Sequence, residues 1–401
     1  MTNSSPRVSP SSGPSADPPI LQFDTLPGVI DLAWGHPDPE LLPVGLLPAA
    51  AKRALARYGP DALGYGARRG AGPLLDAIRD RLGVIDARVP ALDEILVTAG
   101  ASGGLDQVAT LLCEPGDVVL VESPTYHLAV RILRDHPVEL VPVPAGPGGI
   151  DVEAVARVAS ELRRRGRTPR LLYSVTTFSN PAGATLSAVD RRRLADVLAA
   201  EDVLLVEDDT YRELWYDEPP PPSVWAVGGG QHVIRLGSFS KTLAPGLRLG
   251  YLTAPSAIVS RFVDSGLLDS GGGNGHLVAL VVAELFRSGE YARHVDALRA
   301  AYRLRRDAVV DALSELDVTF VTPTGGYFAW VDLRRSSGPE RLAAARRAGT
   351  NFVSGEVFHV GDGGGETHAR LSFSRYHPET LREGVRRLGS ALNGPVAGAD
   401  G

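Results

Sequence analysis

Ser238-Phe-Ser-Lys241-Thr-Leu-Ala-Pro-Gly-Leu-Arg248-Leu-Gly-Tyr251 sets one lysine among hydroxyls, glycines and an arginine, directly after the apolar run His232-Val-Ile-Arg-Leu236. An apolar run that empties into a polar turn reads as a strand of an α/β sheet, and such sheets bind ligands beyond their strand ends. A lysine held among groups that grip a phosphate can form an imine with a phosphorylated aldehyde. Pyridoxal 5′-phosphate (PLP) is such an aldehyde. Taken alone, the stretch also reads as an ordinary strand-to-loop turn with a surface lysine, because short motifs recur by chance.

Other strand ends bear on the choice. Val206-Glu-Asp208-Asp209-Thr-Tyr211 follows Val203-Leu-Leu205. A carboxylate at the end of a buried strand is costly unless it meets a positive partner. The pyridinium nitrogen of PLP is one such partner: Asp208 would keep it protonated, and Tyr211 would reach the ring's phenolic oxygen. Helix caps and metal ligands produce the same acidic pattern. Tyr173-Ser-Val-Thr-Thr-Phe-Ser-Asn180-Pro181-Ala-Gly183 ends an apolar strand in a turn. Asn180 there either closes the turn locally or donates to the phenolate oxygen. Ile95-Leu-Val-Thr-Ala-Gly100-Ala-Ser102-Gly-Gly104-Leu-Asp-Gln-Val108 passes from strand to helix through small residues. Backbone N–H groups at such a helix start bind phosphate, although similar turns occur without a ligand. In Val121-Glu-Ser-Pro-Thr-Tyr126 the aromatic either stacks on the cofactor ring or fills the core.

Apolar runs near 95–98, 117–121, 138–143, 170–175, 203–207, 232–236 and 248–253 alternate with helical stretches such as Leu74–Leu82 and Ala188–Ala200. This is the rhythm of a mostly parallel sheet covered on both faces. Leu47 to Tyr58 reads as an Ala-rich helix, and Leu277 to Leu316 as helical throughout. Strand-like Val318–Val321, Tyr327–Val331 and Arg370–Phe373, then a final helix, predict a smaller α+β domain. At 401 residues and 44% hydrophobic, the chain can bury more than one core. The expected division is a disordered Ser/Pro-rich tail over 1–19, an N-terminal arm over 20–46 that joins the small domain, a large domain over 47–290, a small domain over 291–393 and a flexible tail over 394–401.

A net charge of -6 argues against a nucleic-acid scaffold or a membrane-surface binder. The single Cys113 permits no internal disulfide, so a reducing, cytoplasmic setting is expected. Residues 1–19 lack the apolar core of a signal peptide, and no apolar run is long enough for a membrane span.

Taken together, the motifs resemble those of fold-type I PLP enzymes, specifically the class I/II aminotransferases of the aminoadipate, kynurenine and aromatic amino acid kind. The resemblance covers about residues 28 to 390, with the motifs in the family's order. It implies a large domain with a mostly parallel seven-stranded sheet, a small α+β C-terminal domain, and a homodimer with shared active sites. Lys241 is then the Schiff-base lysine, Asp208 the pyridinium partner, Tyr211 and Asn180 the ligands of the phenolic oxygen, and Tyr126 the stacking ring. Ala101, Ser102, Ser238, Ser240 and Arg248 would hold the phosphate, joined by Tyr65 from across the dimer interface. Arg370, in His368-Ala-Arg370-Leu-Ser-Phe-Ser374, matches the family's α-carboxylate arginine, since a guanidinium presents a planar fork to a carboxylate. Read without the family, an isolated strand arginine is a solvated edge residue. The resemblance also implies PLP as cofactor and a small amino acid as substrate, passing through a Lys Schiff base and a quinonoid.

The chain departs from its relatives in three places. Trp34, next to Gly35, stands where they carry a small residue facing the substrate; it either narrows the pocket or packs in the core. Asp269-Ser-Gly-Gly-Gly-Asn-Gly-His276 is unusually glycine-dense, which suggests an adaptable substrate pocket shared between subunits. Ala101 lacks a hydroxyl common at its position, so Ser102 and the backbone carry more of the phosphate. Because fold does not fix reaction, a specialised enzyme using the same quinonoid for elimination, replacement, oxidation or C–C bond formation is the alternative. A regulator that uses a PLP domain as a sensor would need a DNA-binding domain that the N-terminal tail is too short to hold.

Overall fold

The computed structural model describes residues 26–271, 273, 275–361 and 363–393. The tails expected over 1–19 and 394–401, the first residues of the arm, and Gly272 and Asn274 of the glycine-dense loop lie outside these.

All seven apolar runs are strands of one sheet, in the order Ile95–Thr98, Gly250–Thr253, Val233–Ser238, Leu204–Asp208, Pro169–Ser174, Val118–Ser123, Glu139–Gly146. Four of the six pairings are parallel, and Gly250–Thr253 runs against both of its neighbours. A two-residue strand, Gly149–Ile150, adds an eighth member by folding back on the edge strand. Period-2 alternation distributes the apolar side chains between the two faces. Val119, Leu171, Val206 and Ile234 pack on one face with Leu105 and Val108 of helix Gly100–Leu112. Leu120, Leu172, Leu205 and Val233 pack on the other with Leu194, Leu198 and Trp225. Burial on both faces explains why the parallel strands read as continuous apolar runs.

Helix Leu47–Tyr58 has the bounds read from the sequence. The long helical stretch is divided into His276–Arg287 and Glu290–Ser314. Gly289, at φ 70°, forms the break in a left-handed conformation that glycine adopts without a Cβ penalty. Beyond it, Thr319–Phe320, Phe328–Asp332, His368–Ser372 and Val353–Ser354 form an antiparallel sheet with its own apolar core. Before the large sheet, Ile30–Asp31 pairs in parallel with Thr350–Asn351 in a separate two-stranded sheet, and Ser372 N donates to Leu32 O at 2.7 Å. This attachment fixes where Trp34 and Gly35 emerge. Among the described residues, no helix is long and apolar enough to cross a membrane.

Candidate active site

The carboxyl ends of the central strands open into a cavity of about 230 Å³. The arm and the antiparallel sheet close it through Trp34, Gly35, Phe328 and Arg370. Lys241, Asp208, Tyr211, Asn180, Tyr126, Ala101, Ser102, Ser238, Ser240 and Arg248 all line the same space. Tyr65 does not: it is 90% exposed on its own chain and packs beside Gly271, where an added Cβ would meet its ring at 2.7 Å.

Lys241 Nζ donates to Gly35 O at 3.0 Å. Burial, aided by the charges of Arg370 and Arg248 and opposed by Asp208, lowers its pKa to about 8. The ammonium therefore loses its proton far more readily than a surface lysine does. A larger residue at Gly35 would have to displace the Phe328 ring, because an added Cβ would lie 2.5 Å from Phe328 Cζ.

Three consecutive carboxylates end strand Leu204–Asp208, and the sheet separates them. Glu207 accepts the amides of Val224 and Trp225, each at 2.9 Å, on the face away from the cavity. Asp209 Oδ2 accepts Arg235 Nε at 2.8 Å, within a buried network that includes Asp86 and Arg212. Asp208 alone lines the cavity. Its oxygens accept only neutral donors, Tyr173 Oη at 2.8 Å on Oδ2, and Thr210 Oγ1 at 2.6 Å and N at 3.3 Å on Oδ1. Burial pushes its carboxyl up, and the Thr210 and Tyr173 bonds pull it back.

Arg370 is 3% exposed and sits over the Phe328 and Phe358 rings at 4.2 and 4.8 Å. Its Nη1 donates to Asn180 Oδ1 at 2.9 Å and its Nη2 to Ala33 O, while Nε is buried without a hydrogen-bond partner. Burial lowers its pKa to about 10, which still leaves it charged at neutral pH. Its partners are neutral oxygens, so a buried cation of this kind is matched to an anion that arrives from outside. With Oδ1 taken by Arg370, the Asn180 amide NH2 remains available as a donor.

At the opposite wall, helix Gly100–Leu112 presents its start. Arg248 Nη2 donates to Ala99 O at 3.0 Å, and a Cβ on Gly100 would lie 3.0 Å from the same nitrogen. Helix-start amides, serine hydroxyls and a guanidinium form a donor set for a phosphate dianion. Together with a buried amine and a carboxylate that has only neutral partners, these residues fit PLP.

Several residues in or directly behind the cavity wall were not singled out from the sequence. Tyr173 and Thr210 hold Asp208, and Phe328 backs Arg370 and Gly35. His36 and His127 also line the wall; burial, with Lys241 beside His36 and Arg370 beside His127, lowers each pKa to about 4, so both rings are neutral. His127 Nδ1 is buried without a hydrogen-bond partner. Only the placement of Tyr173 and Thr210 within motifs that carry other site residues marked them in the sequence.

Residues 27–388 match the profile of the aminotransferase class I and II family. The chain is 34% identical over 388 residues to a 2-aminoadipate transaminase of Thermus thermophilus, covering 94% of each. It is 32% identical over 383 residues to aromatic-amino-acid aminotransferase 1 of Thermococcus litoralis, covering 93% of this chain and 90% of the relative. Among solved structures, an α-aminoadipate aminotransferase of Thermus thermophilus complexed with N-(5′-phosphopyridoxyl)-L-leucine superposes with a TM-score of 0.81 at 33% identity, covering 91% of this chain and 92% of that one. The chain belongs to the aminotransferase class I and II family. It has the fold-type I architecture and is a PLP-dependent aminotransferase acting on amino acids.

Proposed function

We propose that the chain is a cytoplasmic, homodimeric aminotransferase that moves the amino group of an α-amino acid to a 2-oxo acid. Arg370 carries the reading: a buried guanidinium with neutral partners, in the same cavity as the buried amine of Lys241, is built to hold an α-carboxylate beside that amine. In this proposal Lys241 bears PLP, and Asp208 holds the ring nitrogen. Asn180 and Tyr211 meet the phenolic oxygen, and Tyr126 stacks on the ring. The phosphate is held by the Ala101 and Ser102 end of the helix, by Ser238, Ser240 and Arg248, and by Tyr65 of a second copy. The bound cofactor supplies an electron sink for the bond at the amino acid's α-carbon.

The chain's own groups do the rest. Arg370 orients the α-carboxylate, and Asn180 links its guanidinium to the cofactor's side of the cavity. Lys241 Nζ, once the substrate's amine has taken its place on the cofactor, would be the base: with its pKa lowered to about 8 by burial, it would take the α-proton and return it to the carbon attached to the cofactor ring. Trp34 and Gly35 bound the substrate side, with Trp34 limiting the room for the side chain. Residues 47–290 act as the cofactor-binding domain and residues 291–393, with the arm, as the domain that brings Arg370 and Phe328 to it. The lone cysteine suits a reducing compartment.

A single-turnover absorbance scan of the PLP-loaded enzyme against a panel of amino acids tests the reaction. Full conversion to pyridoxamine phosphate with release of a 2-oxo acid supports transamination. Release of a substrate fragment with PLP regenerated would replace it with an elimination.

A further inference from the structure

Strand Pro169–Ser174 runs parallel to Leu204–Asp208, with Tyr173 opposite Val206. Residues two apart on a strand share a face, so Asp208 is the diagonal neighbour of Tyr173 on the cavity side. Tyr173 is fully buried, and its hydroxyl donates to Asp208 Oδ2 at 2.8 Å. A phenylalanine would fill nearly the same volume, so the hydroxyl serves the contact and not the packing.

The two oxygens of Asp208 are held from different sides, Oδ2 by Tyr173 and Oδ1 by Thr210. Neutral donors on both oxygens favour the ionised form against the upward push of burial and restrict rotation, without neutralising the charge as an arginine would. The neighbouring Asp209 takes the opposite arrangement, paired with the Arg235 and Arg212 guanidiniums.

We propose that Tyr173 is a positioning residue for the cofactor: through Asp208, its hydroxyl holds a fixed, uncompensated negative charge for the ring nitrogen of PLP. The inference rests on the reading of Asp208 as the partner of that nitrogen. Without the hydroxyl, Oδ2 loses a donor, the carboxylate is free to turn, and its ionised form is less favoured. The affinity of the site for a ring that bears a cationic nitrogen then falls, while its grip on the phosphate and the aldehyde is unchanged.

Equilibrium binding to the apoenzyme separates these effects, with PLP compared against its 1-deaza analogue, in which CH replaces the ring nitrogen. The parent should prefer PLP. Tyr173→Phe should narrow that preference roughly tenfold, the scale of one hydrogen bond to a charged group, with affinity for the analogue unchanged. Tyr173→Met, flexible enough to fill the site without a hydroxyl, should narrow it as well, which guards against a misfolded Phe variant. In an Asp208→Asn background, Tyr173→Phe should no longer alter the preference. An unchanged preference, or equal losses for both ligands, would overturn the proposal and leave Tyr173 a packing residue. No preference in the parent would overturn it differently, by removing Asp208 from the ring nitrogen.

Discussion

Asp208 and Asp209 are consecutive in the chain, yet Asp208 lines the cavity with only neutral hydrogen-bond donors while Asp209 is bound to the buried Arg235 guanidinium at 2.8 Å. Their substitutions should therefore fail in different ways. Asp208→Ala should fold normally and retain some PLP, with turnover reduced by roughly 10²–10³-fold, as when a charge-stabilising group is removed. Asp209→Ala should instead lose about 3–5 kcal/mol of stability, because it leaves Arg235 and Arg212 with only Asp86 between them. Denaturant melts and single-turnover kinetics on the two variants distinguish these outcomes. Near-normal turnover in Asp208→Ala would transfer the role to another group.

Lys241 should capture the cofactor with an unusual pH dependence. Only the neutral amine attacks an aldehyde, and burial lowers this amine's pKa to about 8. The capture rate should rise about tenfold per pH unit below that point and level off above it, whereas an ordinary lysine would keep gaining up to about pH 10.4. Stopped-flow absorbance of the apoenzyme mixed with PLP measures this. Borohydride reduction and peptide mapping should then place the label on Lys241. The other lysine, Lys52, is exposed on helix Leu47–Tyr58, and labelling there would remove Lys241 from the site.

The parts of this site that were legible in the sequence are those that end a strand. Lys241, Asp208 and Asn180 each follow an apolar run, and a buried parallel strand allows polar chemistry only past its end. Arg370 was harder to read without the family, because the same residue in a strand reads as an edge arginine. Its position is set by pairing with Trp330 and Val353, distant in sequence. Tyr173 was hidden by its own pattern: a tyrosine inside an apolar strand looks like core, and its role depends on a diagonal contact with another strand. His36 and His127 carry no periodic signal at all. The edge strand Gly149–Ile150 is too short for period-2 alternation to register, and the break at Gly289 interrupts a helical pattern that resumes in the next residue.

Tyr65 is exposed on its own chain and absent from its own cavity wall, while Leu63 and Leu267 are also exposed at 71% and 55%. Apolar side chains left open in this way fit burial against a second copy. If Tyr65 serves the partner's phosphate, Tyr65→Ala and Lys241→Ala chains should each be inactive or severely impaired alone, and mixing them should restore part of the activity. One hybrid site in such a heterodimer carries neither substitution. Activity is to be measured after subunit exchange has been verified by mass or by tagged pull-down. Exchange without recovery would place Tyr65 outside the partner's site.

Arg370 makes the strongest statement about substrate. Its guanidinium is buried between two phenylalanine rings and tethered by Asn180 Oδ1 and Ala33 O, with Nε left without a partner. A carboxylate arriving there gains charge-assisted bonds from a donor already desolvated and already oriented. Arg370→Ala should weaken substrate binding by about 2–5 kcal/mol, the scale of truncating one partner of a buried charge pair. The loss should be similar for every α-amino acid, because all share the carboxylate, whereas changes at Trp34 should alter the ranking among side chains. Arg370→Lys should recover only part of the loss, since a point charge cannot reproduce the planar fork. Binding constants from the absorbance change at half-turnover, measured across several amino acids and the corresponding amines, test the assignment. If the parent accepts amines as readily as amino acids, or if Arg370→Ala binds amino acids as tightly as the parent, the carboxylate is held elsewhere.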